Sequence, residues 1–398
     1  NKNAEIYGLI LLIKWNNMKI AFVRTASNIL RYGGYNIQEI GLAKALLTYG
    51  ISTDVYARFS NIEDSVVVAK DNAGNRVKVI PLKGTQIYKE IMYYPALKND
   101  LLSGNYDMVQ LLDDSQMMLP ALFKALKRVG VKTILWQGMY RDFGGKAAHL
   151  MQKIYDAFCA GTLDKYSDLK IAKTETAKQY LLKKNYKNIL VLPVGLDEVK
   201  YEVDEVFESK ILNFKKEHPK LLLYIGAIEP RRNPDFLIRL LELKSMQDPN
   251  VGLVMIGKGV SRNVTMKVIK ERGLEKQILM LESVPNKNLS SVFENADIFL
   301  LPTNYEIYGM VVMEALLFGL PVLATPEAGP KYLLPNRQLG ICEALDLQKW
   351  SDAIDYYFSH PSTESDRKMR CDYVNQNFRW DIIASDYYKI IKKLINED

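Results

Sequence analysis

The stretch "ADIFLLPTNYEIYGMVVMEALLFGLPVLAT", residues 296–325, places two glutamates, Glu306 and Glu314, in a run that is otherwise largely apolar. "ADIFLLPT" has the composition of a buried strand, "NYEIYG" that of a loop, and "MVVMEALLF" has apolar residues at helical spacing. Gly319 suits a helix stop, and Pro321 leads into the next strand. A strand, a helix and a second strand in this order predict a parallel sheet with crossover helices.

This pattern predicts different positions for the two carboxylates. Glu306 falls in the loop before the helix, at the carboxyl end of a parallel strand, where doubly wound sheets bind ligands. Glu314 falls inside the helix, beyond its first turn. Backbone amides over residues 308–311 suit a phosphate, and sugar or ribose hydroxyls supply the donors that a carboxylate in apolar surroundings needs. The structural alternative is that Glu314 pairs with a buried Arg or Lys and that Glu306 caps the helix.

Two arginines follow another predicted strand, in "LLLYIGAIEPRRNPDFLIRLL". Gly226 ends that strand, and Arg231 and Arg232 come just before a helix, which predicts two guanidinium groups at a second carboxyl end. Arginine forks match phosphate oxygens bidentately. The alternative is an exposed basic loop.

Two glycine pairs also lie after predicted strands. "VMIGKG" ends in Gly257, Lys258 and Gly259, which also suits a simple turn, and Gly33 and Gly34 come before the first predicted helix. Glycines there permit close backbone approach to a ligand. Neither pair forms GxGxxG or a phosphate loop ending in GK[ST], which disfavours a dinucleotide-dependent oxidoreductase.

The strand and helix alternation runs along the whole chain from Met18. It begins with "KIAFVR" and "NIQEIGLAKALLTYG" and restarts with "LLLYIGAI", so the 398 residues suit two doubly wound α/β domains. Apolar periodicity lapses between about residues 196 and 218, which predicts the domain break there. The last segment, "FRWDIIASDYYKIIKKLINED", is strongly helical and is expected to pack back on the first domain.

Composition limits the classes of function. Apolar residues make up 48% and charged residues 25%, as in a soluble globular protein. The net charge is +7, and the basic residues are scattered along the chain, which indicates a solvated basic face. Attraction to anionic lipids or substrates is the alternative. No nucleic-acid module is present. The dispersed cysteines and histidines predict neither a disulfide framework nor a metal site and fit a reducing cytosol.

The first residues raise a separate question. "IYGLILLIKW", residues 6–15, is shorter than the roughly 20 apolar residues of a membrane span. Because "MKIAFV" at Met18 resembles a natural start, we interpret residues 1–17 as an upstream extension, with an interfacial membrane anchor as the alternative.

Together these motifs resemble the family 4 retaining glycosyltransferases, whose signature has two glutamates separated by seven residues before a "G-x-P-V" strand. The resemblance extends over most of the chain from Met18, through "DLKIAKTETAKQYL", "VLPVGLD", "YIGAIEPRRN", "VMIGKG" and "FRW" in the expected order. It implies the GT-B fold, in which two Rossmann-like domains face a central cleft. The implied boundaries are 18–200 for the acceptor-binding domain, 201–380 for the nucleotide-sugar domain and 381–398 for a helix crossing back to the first domain.

The resemblance also implies roles for individual residues. Glu306 would contact the hydroxyls of the donor sugar and Glu314 those of the ribose, while the arginines would hold the diphosphate and take the place of a metal. The remaining donor-binding residues would be Tyr308, Gly309, Met310, Val311, Gly226, Gly257 and Lys258. The sugar or the acceptor would contact Gly33, Gly34, Gln137 and Asp142.

Two positions depart from the family pattern. Ala227 stands where many relatives have an arginine, and Gln137 stands where many have a histidine. A glutamine cannot act as a base, so the resemblance does not carry a histidine-centred role to this chain.

The expected activity is retaining transfer of a sugar from a nucleotide diphosphate sugar to the hydroxyl of a glycan or lipid-linked acceptor. It implies no cofactor and no metal, a cytoplasmic location and, with the positive charge, a possible contact with the inner membrane face. A nucleotide-sugar epimerase, a sugar-phosphate synthase and an inactive nucleotide-sugar-binding protein are the alternatives. The sequence leaves the oligomeric state open.

Overall fold

The computed structural model of the chain describes residues 18–88 and 90–396. They form two compact units: unit 1 contains the described residues up to Asp197 and from Arg379 onward, and unit 2 contains Glu198–Phe378. The predicted divisions were after residues 200 and 380. The predicted extension over residues 1–17 lies outside the described residues.

Unit 1 is built on an eight-stranded sheet with the order β10-β9-β8-β7-β1-β2-β4-β3. All neighbouring strands are parallel except β3 and β4, which form an antiparallel pair, and β5 and β6 make a separate antiparallel ribbon. The strands are β1 Lys19–Val23, β2 Ser52–Ala57, β3 Val66–Lys70, β4 Arg76–Pro81, β5 Thr85–Tyr88, β6 Ile91–Tyr93, β7 Met108–Leu112, β8 Lys132–Gln137, β9 Leu169–Ala172 and β10 Ile189–Val191. Its helices are α1 Gln38–Leu46, α2 Leu97–Ser103, α3 Leu119–Arg128, α4 Lys146–Tyr166 and α5 Glu175–Lys183.

Unit 2 is built on a six-stranded sheet with the order β13-β12-β11-β14-β15-β16, in which every neighbouring pair is parallel. The strands are β11 Lys220–Ile225, β12 Val251–Ile256, β13 Ile278–Leu281, β14 Ile298–Leu301, β15 Val322–Ala324 and β16 Gly340–Cys342. The helices are α6 Glu205–Glu217, α7 Pro234–Gln247, α8 Arg262–Glu271, α9 Ser290–Asn295, α10 Met310–Leu317, α11 Ala328–Leu333, α12 Leu347–Ser359 and α13 Glu364–Asn377.

The last helix, α14 Trp380–Asn396, packs within unit 1, as expected from the sequence. Trp380 lies against two glycines, because a Cβ on Gly41 or Gly195 would fall 2.2 and 2.4 Å from its ring atoms. Its Nε1 donates to Asp197 Oδ1 at 2.7 Å, and the hydroxyl of Tyr387 donates to Gln110 Oε1 at 2.7 Å. A side chain at either glycine would therefore displace the helix.

The strands predicted from buried apolar runs are present, and the predicted two-domain α/β fold is confirmed. The first predicted helix is α1, which continues through a 3-10 turn to Gly50, where φ is 71°. The division between the two units falls after Asp197, within the range of about 196–218 expected for the domain break. The second half of that range is not irregular, because α6 lies there and buries Phe207 and Ile211. Acidic residues interrupt the apolar periodicity of α6 in the sequence. One of them, Asp204, caps the helix by accepting a hydrogen bond from the amide of Phe207.

Candidate active site

The predicted charged residues of unit 2 meet at one place on the sheet edge. The strand order reverses between β11 and its neighbour β14, and ligands of doubly wound sheets bind outside the carboxyl ends at such a reversal. Arg231 and Arg232 follow β11 in a 3-10 turn, and Glu306 lies in the loop that follows β14. The two motifs are thus adjacent at the point where a ligand is expected.

Glu306 is held through both carboxylate oxygens. Arg232 Nη1 donates to Oε2 at 2.5 Å, and the backbone amide of Gly309 donates to Oε1 at 3.0 Å. Gly309 has φ of 86°, a left-handed conformation that favours glycine, and it precedes α10 directly. The capping alternative therefore describes part of what Glu306 does.

Arg232 has donor capacity beyond this ion pair. Its side chain, like that of Glu306, is 14% exposed. Its Nε is buried and has no hydrogen-bond partner among the described residues. An unsatisfied buried donor destabilises a fold by about 1–3 kcal/mol unless a ligand or water accepts from it.

Arg231 is more exposed and fixes the geometry of the loop. Its Nη1 donates to the carbonyl of Tyr305 at 3.0 Å, and its Nε lies 2.6 Å from Glu229 Oε1. The amide of Asn304 donates to the carbonyl of Arg231 at 2.8 Å. The arginine turn and the glutamate loop are therefore connected by backbone as well as side-chain bonds, which preorganises the pair.

The second glutamate lies deeper. Glu314 is 5% exposed, on the part of α10 that is otherwise apolar. Tyr308 is buried just before this helix, whereas Met310 and Val311 at its start are half-buried. The first amides of a helix have no partner within it, although the amide of Gly309 already donates to Glu306.

The glycines of unit 2 permit two loops to touch. A Cβ on Gly257 would lie 1.8 Å from the carbonyl oxygen of Gly226, and one on Gly259 would lie 2.2 Å from that of Ile228. The loops after β11 and β12 are thus in backbone contact, which is more than the simple turn weighed from the sequence. Lys258 is exposed between these glycines and lies 3.7 Å from Glu282.

One glycine of this edge was missed by sequence reasoning. A Cβ on Gly329, at the start of α11, would lie 1.9 Å from the carbonyl oxygen of Tyr308. The available signal was "PEAGP" directly after the strand β15, at the same sheet edge as Glu306.

Gln137 of unit 1 has a structural role at the end of β8. It is fully buried; its Oε1 accepts from the amide of Asp114 at 3.0 Å, and its Nε2 donates to Asp114 Oδ1 at 3.2 Å and to the carbonyl of Met139 at 3.0 Å. Lys184 Nζ donates to the other oxygen of Asp114 at 2.8 Å. Burial raises the pKa of Asp114 above its usual value, and the ammonium of Lys184 opposes that rise. The sequence analysis missed this network.

Asp142 lies on a polar cavity of about 780 Å³ in unit 1, which Arg141, Lys153 and Lys183 also line. It accepts from the hydroxyl of Tyr180 at 2.9 Å and lies 3.0 Å from His149 Nδ1.

Gly33 and Gly34 occupy an exposed turn, closed by the amide of Gly34 donating to the carbonyl of Arg31 at 2.8 Å.

Two kinds of feature are absent from the described part of the chain. No three or more His, Cys, Asp or Glu side chains are grouped so as to hold a metal ion, within residues 18–88 and 90–396. None of the helices described is long and apolar enough to cross a membrane.

Known proteins resemble this chain in sequence and fold. Residues 206–374 match the family described as "Glycosyl transferases group 1". An uncharacterized glycosyltransferase of Methanocaldococcus jannaschii is 22% identical over 399 residues, 94% of this chain and 98% of that protein.

Solved structures of other proteins have the same fold. Sucrose-phosphate synthase from Thermosynechococcus elongatus aligns with a TM-score of 0.72 at 18% identity, over 96% of this chain and 100% of that one. Anabaena HepE in complex with UDP aligns with a TM-score of 0.67 at 14% identity, over 95% and 100%. The GT-B architecture expected from the sequence is confirmed.

Proposed function

We propose that this chain, which is a group 1 glycosyltransferase with the GT-B fold, transfers a sugar from a nucleotide diphosphate sugar to an acceptor hydroxyl with retention of anomeric configuration. The observation that carries the proposal is the Arg232–Glu306 pair at the strand reversal of unit 2, with Arg231 beside it. It combines cations for a diphosphate with a carboxylate for sugar hydroxyls.

The arginines have the chemistry of a diphosphate clamp. Arg231 and Arg232 would stabilise the negative charge that develops on the leaving group, which is the role a metal ion has in other transferases. Arg232 retains a buried Nε donor beyond its bond to Glu306. The start of α10, at Met310 and Val311, would add backbone donors. No resident metal or cofactor is part of this scheme.

The glutamates would act as hydroxyl clamps. Glu306 would accept from the donor sugar while Arg232 holds its carboxylate, and Glu314 would accept from the ribose. In the reaction the acceptor oxygen bonds to the anomeric carbon, the bond from that carbon to the diphosphate oxygen breaks, and the acceptor proton passes to that oxygen. A glutamate that binds distant hydroxyls does not serve as nucleophile, so a double displacement of the glycosidase type is disfavoured.

The acceptor is a glycan or a lipid-linked sugar in this proposal, as in cell-surface polysaccharide or glycolipid synthesis, and the enzyme works in the cytoplasm. In unit 1 the exposed turn at Gly33 and Gly34 and the polar cavity at Asp142 are the candidate acceptor contacts. Gln137 would reach an acceptor only by giving up its bonds to Asp114.

A panel of nucleotide sugars tests the function. A true donor should raise the melting temperature further as its concentration increases above its Kd, and should yield a glycosylated product whose anomeric configuration matches the donor by NMR. Inversion of configuration would reject the retaining mechanism but not the glycosyl transfer itself. Free epimerised donor without an acceptor would favour an epimerase, transfer to a sugar phosphate would favour a synthase, and binding without turnover across the panel would favour an inactive binding protein.

A further inference from the structure

The outer face of helix α4 in unit 1 is apolar and lies in solvent. Leu150, Met151, Ile154 and Phe158 are all exposed, Phe158 to 80% and Ile154 to 52%. The other exposed uncharged positions of the helix are two alanines and one glycine. A helix of a soluble protein normally turns its polar face outward, so this face is reversed.

The exposed ionisable side chains of α4 are all basic. They belong to Lys146, Lys153 and Lys165, together with His149. The two acids of the helix are less exposed and are paired, Asp156 with Lys184 at 2.9 Å and Asp164 with Lys170 at 2.8 Å. The helix therefore presents an apolar stripe with basic flanks and no exposed carboxylate.

A groove extends this stripe toward the β5–β6 ribbon. It encloses a cavity of about 320 Å³, lined mainly by apolar side chains that include Tyr88, Ile91, Met117, Met151 and Phe158. Ile87 and Tyr93 of the ribbon are also exposed. Glu90 is the acid at its border, and it accepts a hydrogen bond from the hydroxyl of Ser27.

We infer that this face, defined as the exposed side of α4 with the adjoining groove, docks on the surface of an anionic lipid bilayer. An interfacial helix places its apolar side at the boundary of headgroups and acyl chains while its lysines contact anionic headgroups. Long lysine side chains reach headgroups from beside a buried stripe. Because the flanks of the apolar stripe are basic, the face fits an anionic lipid surface better than a neutral apolar partner. The residues that carry this contact lie outside the proposed donor site, and one of them, Lys153, also lines the polar cavity at Asp142.

Co-sedimentation of the full chain with vesicles tests the inference. The protein should bind vesicles of equal parts phosphatidylcholine and phosphatidylglycerol, bind phosphatidylcholine alone far more weakly, and be released as salt rises. Ile154→Gln with Phe158→Gln should weaken partitioning about tenfold or more. Lys146→Gln with Lys153→Gln should weaken it roughly fivefold per lysine.

A matched control is Met246→Gln on α7 of unit 2, where the methionine is 78% exposed. It should leave vesicle binding unchanged, and every variant should keep the wild-type melting temperature and the nucleotide-sugar shift. Vesicle binding that the α4 variants do not weaken, or no preference for the anionic vesicles, overturns the inference. A lipid-free dimer by light scattering that Phe158→Gln dissociates would instead assign the face to a second copy of the chain.

Discussion

In both units, charged and amide side chains lie at the carboxyl ends of parallel strands, but the two units use them differently. At the edge of unit 2, Arg232 binds Glu306 and retains a buried Nε without a protein partner among the described residues. At the edge of unit 1, both ends of the Gln137 amide are bonded, and Asp114 receives the ammonium of Lys184. At the edge of unit 2 a donor is left that a ligand could use. At the edge of unit 1 the amide and the carboxylate are already hydrogen-bonded within the protein.

This difference separates two uses of a polar residue after a strand. A buried polar group must be paired, and a network that pairs all its members stabilises the fold without offering anything to a substrate. A polar group that serves a ligand keeps donors or acceptors in reserve. Substitutions at the two edges should therefore affect different quantities: turnover and donor affinity in unit 2, and the free energy of unfolding in unit 1.

The largest expected effect is that of Arg232→Gln. Loss of a preorganised cation at the leaving diphosphate should lower kcat by about 10²–10³-fold, and Glu306 would lose its ion-pair partner. Steady-state transfer assays measure the effect. Arg272→Gln, which removes an arginine paired with Glu242 away from this edge, is the control and should keep wild-type turnover. Equal loss in both variants would show that the effect is not specific to the site.

Glu306→Gln should lower turnover by about 10–100-fold, because charge-assisted hydrogen bonds contribute about 1.5–3 kcal/mol. The melting temperature should change little, since the amide oxygen can still accept from Gly309. Glu271→Gln, which changes an exposed glutamate paired with Lys267 on α8, is the matched control. Near-normal transfer by Glu306→Gln would remove the carboxylate from the mechanism.

In unit 1, Gln137→Ala should reduce the free energy of unfolding by about 1–3 kcal/mol, because the buried carboxylate of Asp114 would lose a donor. Its kcat should stay near the wild-type value. Urea unfolding at constant pH measures the first quantity and transfer assays the second. A kcat reduced as far as in Glu306→Gln, with stability unchanged, would reverse the proposed difference between the two edges.

A further test of unit 1 uses the buried pair of Glu39 and Arg24, in which Arg24 Nη2 lies 2.9 Å from Glu39 Oε1. Burial alone would raise the pKa of Glu39, but the charges of Arg24 and Lys173 lower it below the ordinary value of 4.5. Because the pKa is lower in the folded state, the stabilisation is present above that ordinary value and is lost as pH falls through the lowered one. The difference in unfolding free energy between wild type and Glu39→Gln should thus be largest near neutral pH and shrink in acid. A difference independent of pH would contradict this.

The sequence predicted the fold best where apolar runs and punctuating residues agree. "ADIFLLPT", the helix from Met310 and the stop at Gly319 all appear, and Gly319 has φ of 78°. The ribbon β5–β6 and the strands β3, β4, β10 and β16 were missed. All of β5 is exposed and no residue of β3 is fully buried, so their side chains do not show the buried pattern used for the other strands.

The sequence predicted which kinds of residue lie at the strand ends of the candidate site. It did not predict which of them pair with each other. Arg232 and Glu306 are 74 residues apart, and only the adjacency of β11 and β14 brings them together. The same limit explains why the structural role of Gln137 was missed. Its side-chain amide is hydrogen-bonded to Asp114, which follows a different strand, and nothing in "TILWQG" indicates that bond.

The central claim is that Arg232 holds the diphosphate while Glu306 holds the sugar at the edge of unit 2. Calorimetric titration with the donor sugar nucleotide and with the matching nucleoside diphosphate measures it directly, in wild type, Glu306→Gln and Arg232→Gln. Glu306→Gln should lose the affinity that the sugar adds and bind the nucleoside diphosphate as wild type does, whereas Arg232→Gln should weaken both ligands. Unchanged sugar-dependent affinity in Glu306→Gln, or unchanged nucleoside diphosphate affinity in Arg232→Gln, would contradict the assignment.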